Sequence, residues 1–370
     1  MKDPLLHDPS TPLRSGFTTG ACAAAAAKGA ALMLAHQITV REVTIELPAG
    51  ISATFQLSGQ TFSADTASCF VIKDAGDDPD VTNGAEVHAA VSRRPGTPTG
   101  GTGRIVIEGG KGIGRITKPG LAVPPGNWAI NPVPLRMIAE AVGAALSPLD
   151  SQPATFTIVI SIPDGEERSK RTLNARLGII GGLSILGTTG IVRPISAKAW
   201  TDTIDAALDV ARACGCRTVV LSTGRTSEVA AQRWLAGTLP EEAYIMMGDH
   251  VAYALQACLQ RAFDQPIIAC QFAKLLKIAC GHGNTHAAAS ELDIGQLLAW
   301  GREGGLSDQT LVAISVANTA REIAIASSFD PLLLGLVFQH ARSATAAHAP
   351  DIFSHFLVAD YSGNCIFDSR

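Results

Sequence analysis

Aromatic residues make up only 5% of the 370-residue chain and charged residues 17%. The 29 basic and 33 acidic residues give a net charge of −4, without the basic excess or stripe that nucleic-acid proteins normally carry. No run of like charge marks a membrane surface segment or an acidic tail. Long apolar runs are missing as well. The uncharged, apolar stretch at residues 177–192 is short for a span of about 20 residues and is broken by five glycines. The eight cysteines (Cys22, Cys69, Cys214, Cys216, Cys258, Cys270, Cys280 and Cys365) contain no C-x2-C pair. In a long, core-rich chain they read as reduced thiols. Residues 1–14 bear Pro, Asp and His rather than a basic segment followed by an apolar one, so no signal peptide is visible. A cytoplasmic protein with no nucleic-acid or membrane partner is expected.

What the chain does have is 46% hydrophobic residues, 36 glycines and 20 prolines. Disorder is thereby excluded, and a core of small aliphatic residues with many tight turns suits α/β enzymes whose backbone approaches a ligand. The length suggests two domains at roughly 150 residues each. Residues 21–34, dominated by alanine, read as a strong helix. Residues 43–47 and 53–57 alternate around a Pro-Ala-Gly turn, which predicts a hairpin. Further strands are expected at 70–72, 104–108 and 155–162, and a helix at 132–146 with Asn131 as its N-cap. From residue 196 the rhythm changes to strand–helix alternation: helices at 196–211, 228–235 and 251–262, strands at 218–221, 244–247 and 267–270. Two more helices at 311–326 and 331–341 and a hairpin over 356–368 close the chain. The expected fold is an N-terminal α+β domain with mainly antiparallel strands (1–170) and a C-terminal Rossmann-like α/β domain with a parallel sheet (171–370).

Several segments offer chemistry, each with a plain structural alternative. Thr18 and Thr19 open the alanine helix, where they either cap it or present its N-terminus to an anion. Asp74, Asp77, Asp78 and Asp80 crowd one loop, which is either a solvated acidic turn or a cation site lacking the spacing of an EF-hand. Residues 109–118 interleave glycines with Lys111, Arg115 and Lys118, suited to phosphate or carboxylate, but no GK[ST] opens a helix. Residues 177–190 are glycine-rich and uncharged without G-x-G-x-x-G spacing; they pack either on a flat ligand or on neighbouring strands. Residues 222–228 lie between a strand and a helix, with Gly224 at the turn; they either only cap the following helix or contact a ligand, and Asp249 at the end of the next strand could accept from ribose hydroxyls. Cys280, His282 and His286 lack a fourth metal ligand.

Taken together, these segments resemble the cobalt-precorrin-5B methyltransferase family of the anaerobic cobalamin (vitamin B12) pathway. The matching stretches are RSGFTTGACAAAAAKGA (14–30), KDAGDDPDVTNGAEV (73–87), GGKGIGRITKPGLAVPPGNWAINPVP (109–134), ISIPDGEE (160–167), TLNARLGIIGGLSILGTTGIVRPIS (172–196) and GHGNTHAA (281–288). Two positions depart from the pattern: Ala175, where proline is expected, and Leu135, where arginine is expected beside Arg136. The resemblance implies methyl transfer from S-adenosylmethionine to carbon 1 of a cobalt-containing tetrapyrrole, giving cobalt-precorrin-6A, with cobalt belonging to the substrate and no protein-bound metal. On this reading Thr18, Thr19, Lys111, Arg115, Lys118 and Asn131 meet the carboxylate-fringed macrocycle, with Arg14 among the local cations. Gly181, Gly182, Thr188, Thr189, Gly224 and Asp249 form the donor site. Asp74, Asp77 and His286 are candidates for removing a proton, the two carboxyls because crowding raises a pKa. An ATP-dependent small-molecule kinase and a non-catalytic tetrapyrrole-binding protein remain as alternatives.

Overall fold

A computed structural model describes residues 13–95, 104–149, 154–194 and 196–370. The chain forms two compact units, Met1–Ser196 and Ala197–Arg370. The boundary therefore falls after residue 196 rather than after 170. Residues 171–196 stay with the first unit because their backbone pairs there, as shown below.

The first unit begins with β1 (Gly16–Phe17) and α1 (Thr19–His36). Alanine explains α1 twice: it has the highest helix propensity, and its small side chain lets neighbours close in on every side. Fourteen of its 18 residues are buried. A hairpin follows, β2 (Glu42–Glu46) with β3 (Ser52–Gln56), and Val43 pairs with Phe55 as the alternation predicts. Then come β4 (Ser58–Phe62), β5 (Thr66–Ile72), β6 (Glu86–Pro95), β7 (Arg104–Gly109), β8 (Arg115–Ile116), α2 (Pro132–Leu146), β9 (Ala154–Ser161), α3 (Gly165–Ser169), β10 (Ile179–Ile180) and β11 (Ile191–Val192). The main sheet has the order β4-β5-β6-β9-β7, antiparallel except for β7 beside β9. Alternate residues of β6 and β9 (Val87, Ala89, Val91; Phe156, Ile158, Ile160) bury one face, and α1 and α2 belong to the same core. β11 pairs with β1 and β10 with β8, which ties residues 171–196 to this unit.

The second unit is α4 (Ala197–Ala213), β12 (Val220–Ser222), α5 (Arg225–Trp234), β13 (Tyr244–Met246), α6 (Val251–Gln260), β14 (Ile267–Gln271), α7 (Phe272–Ala279), α8 (Ile294–Glu303), α9 (Asp308–Val316), α10 (Ala320–Ala326), α11 (Pro331–His348), β15 (His355–Ala359) and β16 (Cys365–Asp368). Its sheet runs β13-β12-β14-β15-β16, parallel except for the last strand. The chain moves outward from β12 to β13, then crosses back to β14, so the strand order reverses between β12 and β14. Ligands of open parallel sheets gather outside the carboxyl ends at such a point. The helix expected over 311–326 is two helices, because Thr319 and Glu322 form a capping box that starts a new one. Among the described residues, no helix is long and apolar enough to cross a membrane.

Candidate functional site

β5 and β9 both run antiparallel to β6, and β7 runs parallel to β9. Three strands of the first sheet thus point the same way. The loops that leave their carboxyl ends, 73–80, 110–114 and 162–165, emerge at one edge.

Backbone hydrogen bonds knit further segments onto that edge. Gly110 N–H donates to Ile160 O and Ile162 N–H to Lys111 O. Leu183 N–H donates to Gly112 O, Gly114 N–H to Leu183 O, and Asn131 N–H to Ile185 O. Gly20 N–H donates to Leu186 O, and Thr18 N–H to Gly190 O. The glycines serve this chain-to-chain approach. Gly112 has φ +75, and a Cβ there would run into the Ile162 carbonyl; a Cβ on Gly182 would run into the Gly112 carbonyl. The uncharged segment 177–190 is therefore packed on its own unit and follows no parallel strand. Gly181, Gly182, Thr188 and Thr189 lie in the first unit, while Gly224 and Asp249 lie in the second.

The start of α1 also differs from the expectation of an open anion site. Thr18 and Thr19 are buried. Thr18 Oγ1 accepts from Ala21 N–H at 3.2 Å, Thr18 O accepts from Cys22 N–H, and Thr19 Oγ1 accepts from Leu186 N–H at 3.0 Å. Capping and inter-segment bonds satisfy that helix end from within. Besides Asp74 and Asp77, this edge exposes cationic and apolar side chains. Lys111 and Arg115 are exposed, and Ile180 and Leu186 keep about half their surface (51% and 48%) in contact with solvent. Arg115 lies 3.8 Å over the Trp128 ring and donates to Gly126 O. Lys118 donates to Arg176 O at 3.2 Å. Asn131 begins α2 without using its side chain as a cap. Trp128 was not among the residues singled out from the sequence, although one tryptophan in a glycine-rich stretch of an aromatic-poor chain is a readable signal.

The acidic loop turns out to be a clasp. Arg14 pairs with both oxygens of Asp74, Arg14 N–H donates to Asp77 Oδ2 at 2.6 Å, and Phe17 N–H donates to Asp74 O. The Arg14 guanidinium holds the Asp74 carboxyl below the usual carboxylate range. Crowding does not raise it, so the expected tuning of Asp74 toward neutrality is corrected. Lys73, 2% exposed, reaches Asp80 Oδ2 at 2.6 Å, and Asp80 Oδ1 accepts from Thr82 N–H and Thr82 Oγ1. The buried Lys73 was likewise missed, since nothing in the sequence separates it from a surface lysine.

In the second unit, the turn after β12 carries Gly224, which leaves α5 without a side-chain cap. Ser222 ends β12 fully buried, and its hydroxyl finds no hydrogen-bond partner among the described residues. Asp249 follows β13. Its Oδ1 accepts from Lys274 Nζ and, at 2.7 Å, from Thr285 Oγ1. Burial alone would raise the Asp249 carboxyl, but these two bonds outweigh it and hold it below its ordinary value. Lys274 and Lys277 both donate to Thr285 O, and burial together with the Lys274 charge pushes the Lys277 ammonium pKa down. His286 is exposed and its Nδ1 accepts from Ala288 N–H at 3.2 Å. Asp74 and Asp77 belong to the first unit and His286 to the second. Among the described residues, no group of three or more His, Cys, Asp or Glu is placed to hold a metal ion. Cys22, Cys69, Cys258 and Cys270 are buried, and burial pushes their thiols up to about 12, which leaves them unreactive near neutral pH.

The family model CbiD matches residues 6–194. A cobalt-precorrin-5B C(1)-methyltransferase of Pelobacter propionicus is 59% identical, covering 98% of each chain. One from Geobacter metallireducens is 56% identical over 96% of this chain and 98% of its own. A crystal structure of the cobalamin biosynthesis protein cbiD from Archaeoglobus fulgidus is 30% identical over 72% of this chain and 79% of that one, with a TM-score of 0.38.

Proposed function

The chain belongs to the CbiD family, and from that premise we propose that its two units divide the work of one methylation, the first taking the tetrapyrrole and the second the methyl donor. The reaction is methylation of carbon 1 of cobalt-precorrin-5B, giving cobalt-precorrin-6A in cobalamin biosynthesis. Its relatives carry the name of a methyltransferase, which favours this activity over the kinase and carrier readings.

The observation that carries the first assignment is the shared edge of β5, β7 and β9. A corrin-type macrocycle is flat and apolar with a rim of carboxylates. Ile180 and Leu186 offer exposed apolar contact, Lys111 and Arg115 offer charge, and the Asn131 amide adds a polar contact. Trp128 holds the Arg115 guanidinium flat, so its planar fork is oriented before a carboxylate arrives. Gly181, Thr188 and Thr189, all exposed, go with this ligand rather than with the donor.

S-adenosylmethionine is the proposed donor. The residues of the second unit fit it: the uncapped start of α5, the orphaned Ser222 hydroxyl and the Asp249 carboxylate all lie at the carboxyl edge of a parallel sheet. When bound, it supplies an electrophilic methyl on a sulfonium, so the protein needs no nucleophile of its own. Gly224 and Ser222 would hold the amino-acid end, and Asp249 the ribose. The remaining work is alignment, holding the ring carbon about 3–3.5 Å from the methyl group. One proton leaves the substrate for each methyl gained. Asp77 and His286 remain the proposed acceptors, whereas Asp74, ion-paired and held acidic, is a poor one.

The test is equilibrium binding of the cobalt tetrapyrrole and of S-adenosylhomocysteine to Arg115→Ala. The expected result is weaker tetrapyrrole binding, by roughly tenfold for a lost charge-assisted contact, with donor-product binding unchanged. Loss of both to the same extent would refute the division of labour.

A further inference from the structure

Trp200 stands in the first turn of α4, and its ring lies against the loop that follows β13. Its Nε1–H donates to Met247 O at 3.0 Å. The indole sits so close over Gly248 that a Cβ there would fall 2.8 Å from the ring. Gly248 also has φ +60, so glycine is required for both backbone and contact. Fixed in this way, Trp200 still keeps 46% of its surface exposed. The His250 ring lies beyond, 6.4 Å from it between centroids and tilted by 33°.

Between these rings in sequence is Asp249. Both of its hydrogen bonds from side chains fall on Oδ1, from Lys274 and Thr285, and among the described residues none falls on Oδ2. Thr285 is fully buried, and its own N–H donates to Asp249 O at 3.0 Å. The carboxylate is thus braced from α7 and from the 281–288 loop, with one oxygen turned to other use. The pairing of an anchored, half-exposed aromatic face with one open carboxylate oxygen matches the chemistry of a nucleoside. A base stacks on the ring, and a vicinal diol donates to the oxygen.

We propose that Trp200 is the stacking platform for the adenine of the donor, with Asp249 Oδ2 as the acceptor for its ribose hydroxyls. Gly248, Lys274 and Thr285 are positioning residues that hold the two groups in place. This inference rests on the reading of the second unit as the donor unit, and adds to it the residue that recognises the base.

The test is calorimetric titration of the full chain with S-adenosylhomocysteine, adenosine and 2′-deoxyadenosine, using wild type, Trp200→Ala, Trp200→Phe and Asp249→Asn. Trp200→Ala should weaken S-adenosylhomocysteine and adenosine by roughly tenfold or more, in line with the loss of one base–aromatic stack. Trp200→Phe, which keeps a ring, should stay within about threefold of wild type on the same ground. Wild type should prefer adenosine to 2′-deoxyadenosine, and Asp249→Asn should lose most of that preference. Unchanged affinity in Trp200→Ala would overturn the inference alone. So would Trp200→Phe falling as far as Trp200→Ala, because the indole N–H bond to Met247 would then be the only contribution. Wild type that binds none of the three probes would overturn the donor reading and this inference together.

Discussion

Asp80→Asn and Lys73→Met remove opposite ends of one ion pair, and the structure predicts very different consequences. The Lys73 side chain is 1% exposed, whereas that of Asp80 is 23% exposed. Asp80→Asn strands an ammonium with no water to receive it. The loss of one partner of a buried pair costs about 3–5 kcal/mol, a large share of the roughly 5–15 kcal/mol that holds a domain together. Lys73→Met leaves a carboxylate that still accepts from Thr82 N–H and Oγ1 and reaches solvent, so about 1 kcal/mol, one hydrogen bond, is expected. Cys22 and Cys69, both buried, are the cysteines of the first unit and report its opening separately from the second. Labelling of these thiols by a small reagent, read by mass spectrometry, follows the open population when reclosing is fast. Asp80→Asn should accelerate labelling roughly 140- to 3,700-fold and Lys73→Met about fivefold, at one decade per 1.4 kcal/mol. The pH dependence has a definite sign. Burial alone would raise the Asp80 carboxyl, but the bonds from Lys73 and Thr82 hold it below its ordinary value of 3.8. Its stabilisation is therefore complete above that value and is lost only as the pH falls through the lower folded one. Equal acceleration by the two variants, or a larger effect from Lys73→Met, would refute the argument that the asymmetry of burial decides the cost.

Gly182→Ala puts a Cβ against the Gly112 carbonyl. It should destabilise the first unit by about 1–3 kcal/mol, as overpacking does, while S-adenosylhomocysteine affinity, measured by calorimetry on the folded fraction, stays at the wild-type value. Asp74→Asn should keep single-turnover methyl transfer within about threefold of wild type; a fall of roughly a hundredfold, typical of a lost general base, would return Asp74 to the mechanism. Trp128→Ala frees the Arg115 guanidinium and should raise the apparent KM for the tetrapyrrole several-fold without changing that for the donor, in steady-state kinetics with each ligand varied in turn. Ser222→Ala removes a buried hydroxyl that has no partner. Thermal unfolding should therefore show no loss of stability, and weaker S-adenosylhomocysteine binding would mark that hydroxyl as a ligand contact.

The parts of the fold that follow periodicity or capping were legible in the sequence. Alanines 23–27 mark α1, the alternation of 43–47 and 53–57 marks the hairpin, and Asn131 with two prolines marks the start of α2. Residues 177–192 were not legible. An uncharged, glycine-rich stretch looks the same whether it packs on a nucleoside or on its own backbone, and two-residue strands such as β10 and β11 carry no period. α7 was missed because β14 runs into it without a glycine, proline or cap. Among the site residues, the sequence pointed to the loops but not to what holds them. The Arg115–Trp128 stack, the buried Lys73 and the Trp200–Gly248 contact each join residues that local pattern leaves unrelated.

The central claim is tested most directly by incubating the purified protein with cobalt-precorrin-5B and S-adenosylmethionine carrying a 13C-labelled methyl group. The account predicts one labelled methyl per macrocycle, located on carbon 1 by NMR, with one equivalent of S-adenosylhomocysteine formed. Label on another carbon, or none in protein that binds both ligands, would contradict it.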